Sequence, residues 1–196
     1  MNGFADVTDL ARLTARDPRG GARAILALRL PVRVLWELML LVSVLTDLLL
    51  FAELAVGGAD VQVLLSAALP DPLVMAAMQF ASLCVMTVAL YGVGHAFGGK
   101  GDWPGAMALV VWLQAIMLMF GAAQVVLYLL LPVAANLLGL VSLVVLMWLL
   151  THFTAELHRF TNLWLVAFGI LATAVVLIFG LSFLLVAFGV LMPGVA

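Results

Sequence analysis

Asp47 is the residue with the clearest capacity for chemistry, because it lies near the middle of a long apolar run. A carboxylate at the centre of a bilayer-spanning helix costs about 2.5–3.5 kcal/mol on insertion scales, so it should face the interior of a helix bundle. Two interpretations follow: Asp47 forms a proton or ion site, or it makes a hydrogen bond between helices. Glu37 and Glu53 point to other sides of the same helix, so the three acids do not form one proton path.

Further polar side chains recur at helical spacing in the other apolar runs. Tyr91 and His95 are four residues apart in the second run, and Gln114 and Gln124 share one side of the third. Such stripes are typical of seams where side chains bond between helices, and a polar cavity needs the same residue types. The candidate intramembrane polar site therefore comprises Asp47, Gln114, Gln124, His95 and Tyr91.

Small residues form one more stripe, since Gly169, Thr173 and Gly180 share one side of the last apolar run. Small residues allow helix backbones to approach closely in a bilayer. This side of the last run is therefore predicted to be a packing seam.

Two sequence patterns resemble known sites but lack a defining part. His152 and Glu156 have the spacing of two metal ligands on one helix, but no third ligand follows, and a hydrogen bond between them is the simpler prediction. Residues 94–101 approach a phosphate-binding loop, but Gly101 replaces the required Ser or Thr. We interpret that segment as a flexible turn, and we predict no catalytic residue, no metal site and no cofactor.

The composition indicates that lipid is the solvent for much of the protein surface. The chain has 196 residues, of which 67% are hydrophobic and 9% are charged. A soluble domain is about half apolar and about a quarter charged. A core of this size cannot hide so many apolar residues from water.

The apolar runs predict an all-α, polytopic membrane bundle of five transmembrane helices. About 20 apolar residues cross the bilayer core. Glycine and proline signals divide residues 34–192 into spans at about 34–56, 73–97, 105–131, 133–152 and 163–192. Residues 1–33 form a separate cytoplasmic segment with short amphipathic helices near 4–16 and 18–30, the second of which should start at Asp17-Pro18.

The N-terminal segment is basic and directly precedes the first span. Arg19, Arg23, Arg29 and Arg33 are predicted to contact anionic lipid phosphates at the interface. We exclude nucleic acid as a partner, because the cluster adjoins an apolar run and contains few aromatic residues.

Five spans place all eight basic residues on one side of the membrane. The positive-inside rule then predicts a cytoplasmic N-terminus and a C-terminus on the periplasmic or outer side. The Arg-rich, Ala-rich and Lys-poor composition is typical of a bacterial protein, so we expect the bacterial inner membrane.

Three pieces of the sequence are typical of one known layout: Asp17-Pro18 before a short Arg-bearing helix, the turn at residues 98–103, and the polar end of the fourth span at residues 151–158. In these pieces the chain resembles the Yip1 family of five-helix membrane proteins. The resemblance implies a cytoplasmic N-terminus and a five-helix bundle. Eukaryotic relatives act in vesicle traffic and bind prenylated GTPases, but this chain lacks their long N-terminal region, so that role is not carried over.

The leading functional hypothesis is a non-enzymatic membrane protein that acts through interaction. Its partners would be lipid, other membrane proteins or further copies of itself. The alternative is a small transporter or channel in which Asp47 serves as the intramembrane ion or proton site.

Overall fold

The computed structural model describes residues 3–56 and 71–187, and every regular element in these ranges is an α-helix. Two short helices precede five long ones. The short helices are α1 (Gly3–Arg16) and α2 (Pro18–Ala27). The long helices are α3 (Val32–Val56), α4 (Pro72–Ala96), α5 (Trp103–Leu130), α6 (Pro132–His158) and α7 (Leu163–Ala187).

Each long helix contains a stretch that is long and apolar enough to cross a membrane, with mean hydropathy between 2.1 and 2.5. In α7 this stretch is Leu163–Gly180. The prediction of an all-α bundle with five candidate spans is confirmed. Predicted span residues 188–192 and the loop at 57–70 lie outside the described residues.

The fourth long helix continues past residue 152, near which the predicted span ends. α6 continues to His158 and ends at Arg159, which adopts a left-handed conformation with φ of 60°. Thr151 and Thr154 do not interrupt it, because their hydroxyls donate to the carbonyls of Met147 and Leu150 one turn earlier. A polar stretch thus continues a helix when its side chains bond within that helix.

Aspartate and proline mark the start of three helices. Asp71 and Asp102 accept hydrogen bonds from the backbone N–H groups of Leu73 and Gly105. Asp17 occupies the same position before α2 but makes no capping bond there. Its carboxylate instead lies 3.7 Å from Arg23, so the expected cap is replaced by an ion pair.

Helix α5 is the centre of the bundle, since it contacts α2, α3, α4 and α6. All nine residues from 105 to 113 are buried. The most extensive contacts join α5 to α3 and to α6. Helix α7 is peripheral, because its main described contact is with α6 and most of its surface is exposed.

The hairpin of α1 and α2 is attached to the bundle. Trp112 of α5 donates its indole N–H to the Thr14 hydroxyl at 3.1 Å, and α2 packs against α5 and α6. The turns at residues 97–102 and 159–162 lie at the same end of the bundle, because Gly101 bonds to His158 and Arg19 bonds to Phe160. We call this the basic end, since all eight basic residues belong to these segments or to the start of α3.

Candidate functional site

Asp47 is buried in the bundle, as predicted for an acid within a span. Its residue is 7% exposed, and it lies on the same side of α3 as Met39 and Ser43. The carboxylate oxygen Oδ2 is buried and has no hydrogen-bond partner among the described residues. Ser43, four residues earlier, donates to the carbonyl of Met39 at 2.8 Å. The predicted interhelical hydrogen bond of Asp47 is therefore not made through Oδ2.

The two glutamines of α5 contact different neighbours. Gln114 donates to the Thr46 hydroxyl at 2.8 Å, which joins α5 to α3 directly beside Asp47. Gln124 lies against α6, where a side chain at Gly139 would come within 3.2 Å of the amide nitrogen of Gln124. The predicted stripe on α5 is therefore divided between two helix contacts.

Tyr91 and His95 are adjacent at the basic end of α4. Their ring centroids are 4.5 Å apart, and the His95 Nδ1 lies 3.2 Å from the Tyr91 carbonyl oxygen. The Tyr91 ring also meets Trp103 edge-on at 5.6 Å. Asp47, by contrast, lies far from the basic end. The start of α3 is at that end, and Asp47 is about 22 Å further along the helix at about 1.5 Å per residue. The five predicted polar residues therefore do not form a single site.

His158 is the residue that the sequence interpretation passed over, and it has more long-range contacts than any of the five. Its side chain is buried, with the residue 2% exposed. Its Nε2 donates to the Leu90 carbonyl at 2.9 Å, and its Nδ1 accepts from the Gly101 N–H at 3.2 Å. Phe160 stacks on the ring at 5.5 Å, and His95 meets it edge-on at 5.8 Å. His158 thereby joins the ends of α4 and α6 to the start of α5.

Three glycines form the socket that holds the His158 ring. A methyl group at Gly94 or Gly99 would overlap the imidazole, and one at Gly101 would lie 2.8 Å from its Cε1 atom. Gly99 and Gly101 are buried, so the interpretation of this segment as a flexible turn was wrong. The glycines that resemble a phosphate loop instead allow backbone to approach a histidine. The glycines at positions 94, 99 and 101 were the feature of the sequence that indicated a close contact at this turn.

The four arginines predicted to contact lipid have different surroundings. Arg19 donates to the Phe160 carbonyl at 3.0 Å. Arg23 pairs with Glu156 at 3.4 Å and with Asp17 at 3.7 Å. Arg33 pairs with Glu37 at 3.1 Å, and its side chain is 91% exposed. Arg29 is exposed and has a positive φ of 44°. Arg19 and Arg23 therefore attach α2 to the bundle, while Arg29 and Arg33 are exposed.

His152 and Glu156 do not bond to each other, so that prediction was wrong. The His152 Nδ1 lies 2.7 Å from the Trp148 carbonyl of its own helix. Glu156 is occupied by Arg23 of α2. The two side chains thus serve different contacts, one within α6 and one between α6 and α2.

The contacts at the basic end and in the middle of the bundle hold helices together. Amide, hydroxyl, indole and imidazole groups bond from one helix to another at Gln114, Thr14, Trp112 and His158. Among the described side chains of the predicted polar site, Asp47 retains a buried atom without a partner. The geometry therefore describes a bundle whose helices are joined by side-chain hydrogen bonds, and in which the buried acid Asp47 has an oxygen without a hydrogen-bond partner among the described residues.

Comparison with known proteins identifies the family. The Yip1 domain family matches residues 13–184, a range that includes α2, the glycine socket and His158. Neither a curated protein nor a solved structure matches the chain. Because the match covers most of the sequence and the chain has five apolar helices of spanning length, this integral membrane protein belongs to the Yip1 domain family.

Proposed function

We propose that the protein is a non-enzymatic component or organiser of a membrane assembly, which acts by binding other membrane helices and anionic lipid. The bonds described above support this, because Trp112, Gln114 and His158 use their polar groups to join helices. A surface made for interaction must then lie on the outside of the bundle.

The observation that carries the proposal is the exposure of α7. This helix packs mainly on α6, and Phe168, Val176 and Phe179 are each exposed by more than 65%. Gly169 has no neighbouring atom where a side chain would stand, and neither has Gly180. Within residues 3–56 and 71–187, nothing fills the predicted seam of small residues, so it is available to a helix of another protein or of a second copy.

The test introduces a bulky residue into this seam. Gly180→Leu should reduce the recovery of partners when the protein is extracted in native lipid and analysed by mass spectrometry. Its matched control is Val175→Leu, which lies about 140° around the helix from Gly180. If the protein is reproducibly recovered alone, or if both variants retain the same partners as the wild type, the interaction proposal is wrong.

We also propose a bacterial inner-membrane location with the basic end in the cytoplasm. The clustering of the eight basic residues at one end of the bundle supports this orientation. In this orientation the exposed Arg29 and Arg33 are the arginines placed to meet anionic headgroups.

A second candidate function is transport, and the unpartnered Oδ2 of Asp47 favours it. A buried acid without a partner is an expected feature of an intramembrane ion or proton site. Asp47→Asn should then abolish ion-coupled or proton-coupled uptake in reconstituted vesicles while the protein stays folded. If Asp47→Asn behaves as the wild type in uptake, or changes only the amount of protein, transport loses its main support.

A further inference from the structure

An apolar groove lies on the N-terminal hairpin, between residues of α1 and residues of α2. Its volume is about 450 Å³. The lining comprises Val7, Asp9, Leu10, Leu13, Ala24 and Leu28. Val7, Leu13 and Leu28 are exposed by 49%, 41% and 56%. Within the described residues, no other part of the chain covers this apolar surface.

The contacts of the hairpin fix the level of the groove along the spanning helices. Thr14 bonds to Trp112, which lies about 13 Å along α5 from the start of that helix at about 1.5 Å per residue. Arg23 pairs with Glu156 near the end of α6. The hairpin therefore lies beside the first turns of the spanning helices. An amphipathic helix at this level buries its apolar side about 5–10 Å into the headgroup and acyl boundary.

Two arginines lie close in the chain to residues that line the groove. Arg16 is about 60° around α1 from Leu13, and Arg29 directly follows Leu28. Both are exposed, and neither makes an ion pair with a described residue. Asp9 on the groove wall is balanced by Arg12 at 3.3 Å. The groove thus combines an apolar floor with two nearby cations that have no ion-pair partner among the described residues.

We infer that this groove binds one acyl chain of an anionic phospholipid, whose headgroup is attracted by the positive charge of Arg16 and Arg29 near the two ends of the groove. This deepens the lipid-binding part of the proposed function and gives it a specific place. A second copy of the chain is a poorer occupant, because residues 1–33 carry six arginines against three aspartates and would repel each other. A neutral lipid fills the groove but leaves the arginines without an anion.

The test measures lipid retained by the full-length protein in native mass spectrometry. Phosphatidylglycerol and phosphatidylcholine with the same acyl chains are added to separate delipidated samples. Wild-type protein should retain more phosphatidylglycerol, and each of Arg16→Gln and Arg29→Gln should reduce that preference by about fivefold, from about 1 kcal/mol per arginine. Arg159→Gln is the matched control, because it removes a charge at the same end of the bundle away from the groove and should leave the preference unchanged.

A second variant tests the acyl part of the site. Ala24→Phe should fill the groove and lower the retention of both lipids, whereas Ala27→Phe adds the same ring to the exposed side of α2 and should have no effect. Equal retention of the two lipids by the wild type would overturn the inference, as would an unchanged Ala24→Phe protein. So would a wild-type dimer that Ala24→Phe dissociates, because a second copy would then occupy the groove.

The arginine variants keep the inference testable if Ala24→Phe does not fold, since they alter no packed side chain. The arginine variants also distinguish the inference of a lipid site from the proposal that the protein binds other membrane helices. The groove variants should leave partner recovery through α7 intact, and Gly180→Leu should leave phosphatidylglycerol retention intact.

Discussion

The Nδ1 atom of His158 accepts a hydrogen bond from the backbone N–H of Gly101 at 3.2 Å, across a separation of 57 residues. Because Nε2 faces the Leu90 carbonyl, the ring must be the neutral tautomer that carries its proton on Nε2. One side chain thereby fixes the positions of three helix ends. This explains why the adjoining turn contains glycine where a side chain would collide with the ring.

The His158 bonds should make a measurable contribution to stability. His158→Ala leaves a cavity and an unpaired Gly101 N–H, so it should lower the free energy of unfolding by about 2–4 kcal/mol. Thermal unfolding in detergent measures this loss. His152→Ala is the control and should have little effect, because His152 bonds within its own helix. Nitrogen chemical shifts of the wild-type ring should report the Nε2 proton, and the other tautomer would contradict the described contact.

The glycine socket predicts opposite effects for two neighbouring glycines of α4. Gly94→Ala should destabilise the protein by about 2 kcal/mol or more, because the added methyl group overlaps the His158 ring. Gly92→Ala adds its methyl group to open space and should stabilise the helix by about 0.5–1 kcal/mol. Thermal unfolding of the pair provides the comparison. Equal effects at the two positions would show that the ring does not occupy the socket.

The bond between Thr14 and Trp112 should couple the N-terminal hairpin to the bundle. Thr14→Val and Trp112→Phe each remove one partner, so the double variant should be less destabilised than the sum of the single variants. The expected coupling is about 1 kcal/mol. A double-mutant cycle based on thermal unfolding measures it. Additive effects would mean that the hairpin does not dock through this bond.

Asp47 predicts a variant that is more stable than the wild type. Asp47→Leu removes a buried carboxylate whose Oδ2 has no partner among the described residues, so the free energy of unfolding should rise by about 1–3 kcal/mol. Met39→Ala is the contrasting variant, because it removes a buried apolar side chain from the same side of α3 and should destabilise. A loss of stability in Asp47→Leu would indicate that the acid has a structural partner.

The orientation of the bundle can be tested with a reporter enzyme that is active only outside the cytoplasm. A reporter fused after Ala196 should be active, because an odd number of spans places the C-terminus opposite the basic end. One fused after Gly99 should be inactive, because the turn at residues 97–102 lies at the basic end. The opposite pattern of activity would contradict the proposed topology.

The sequence predicted the helices far better than it predicted their contacts. Proline and aspartate signals placed the starts of α4 and α5 within two residues, because capping and proline geometry act locally. The fourth span was predicted to end near residue 152 because polar residues follow it, but these residues bond within α6, which continues to His158. Gln114 was recognised as a seam residue, but its partner Thr46 was not identified.

Composition and local patterning alone determined that this chain is a membrane-embedded helical bundle with a basic end. Apolar length and the distribution of charge act through the solvent, so they need no knowledge of which helices are neighbours. Only the tertiary structure decided that the glycines of the 94–101 segment surround His158, that Arg19 and Arg23 bind protein, and that Asp47 retains an unpaired oxygen. These facts depend on side chains from distant segments meeting at a few ångströms, and helical periodicity specifies a side of each helix without naming the residue that it meets.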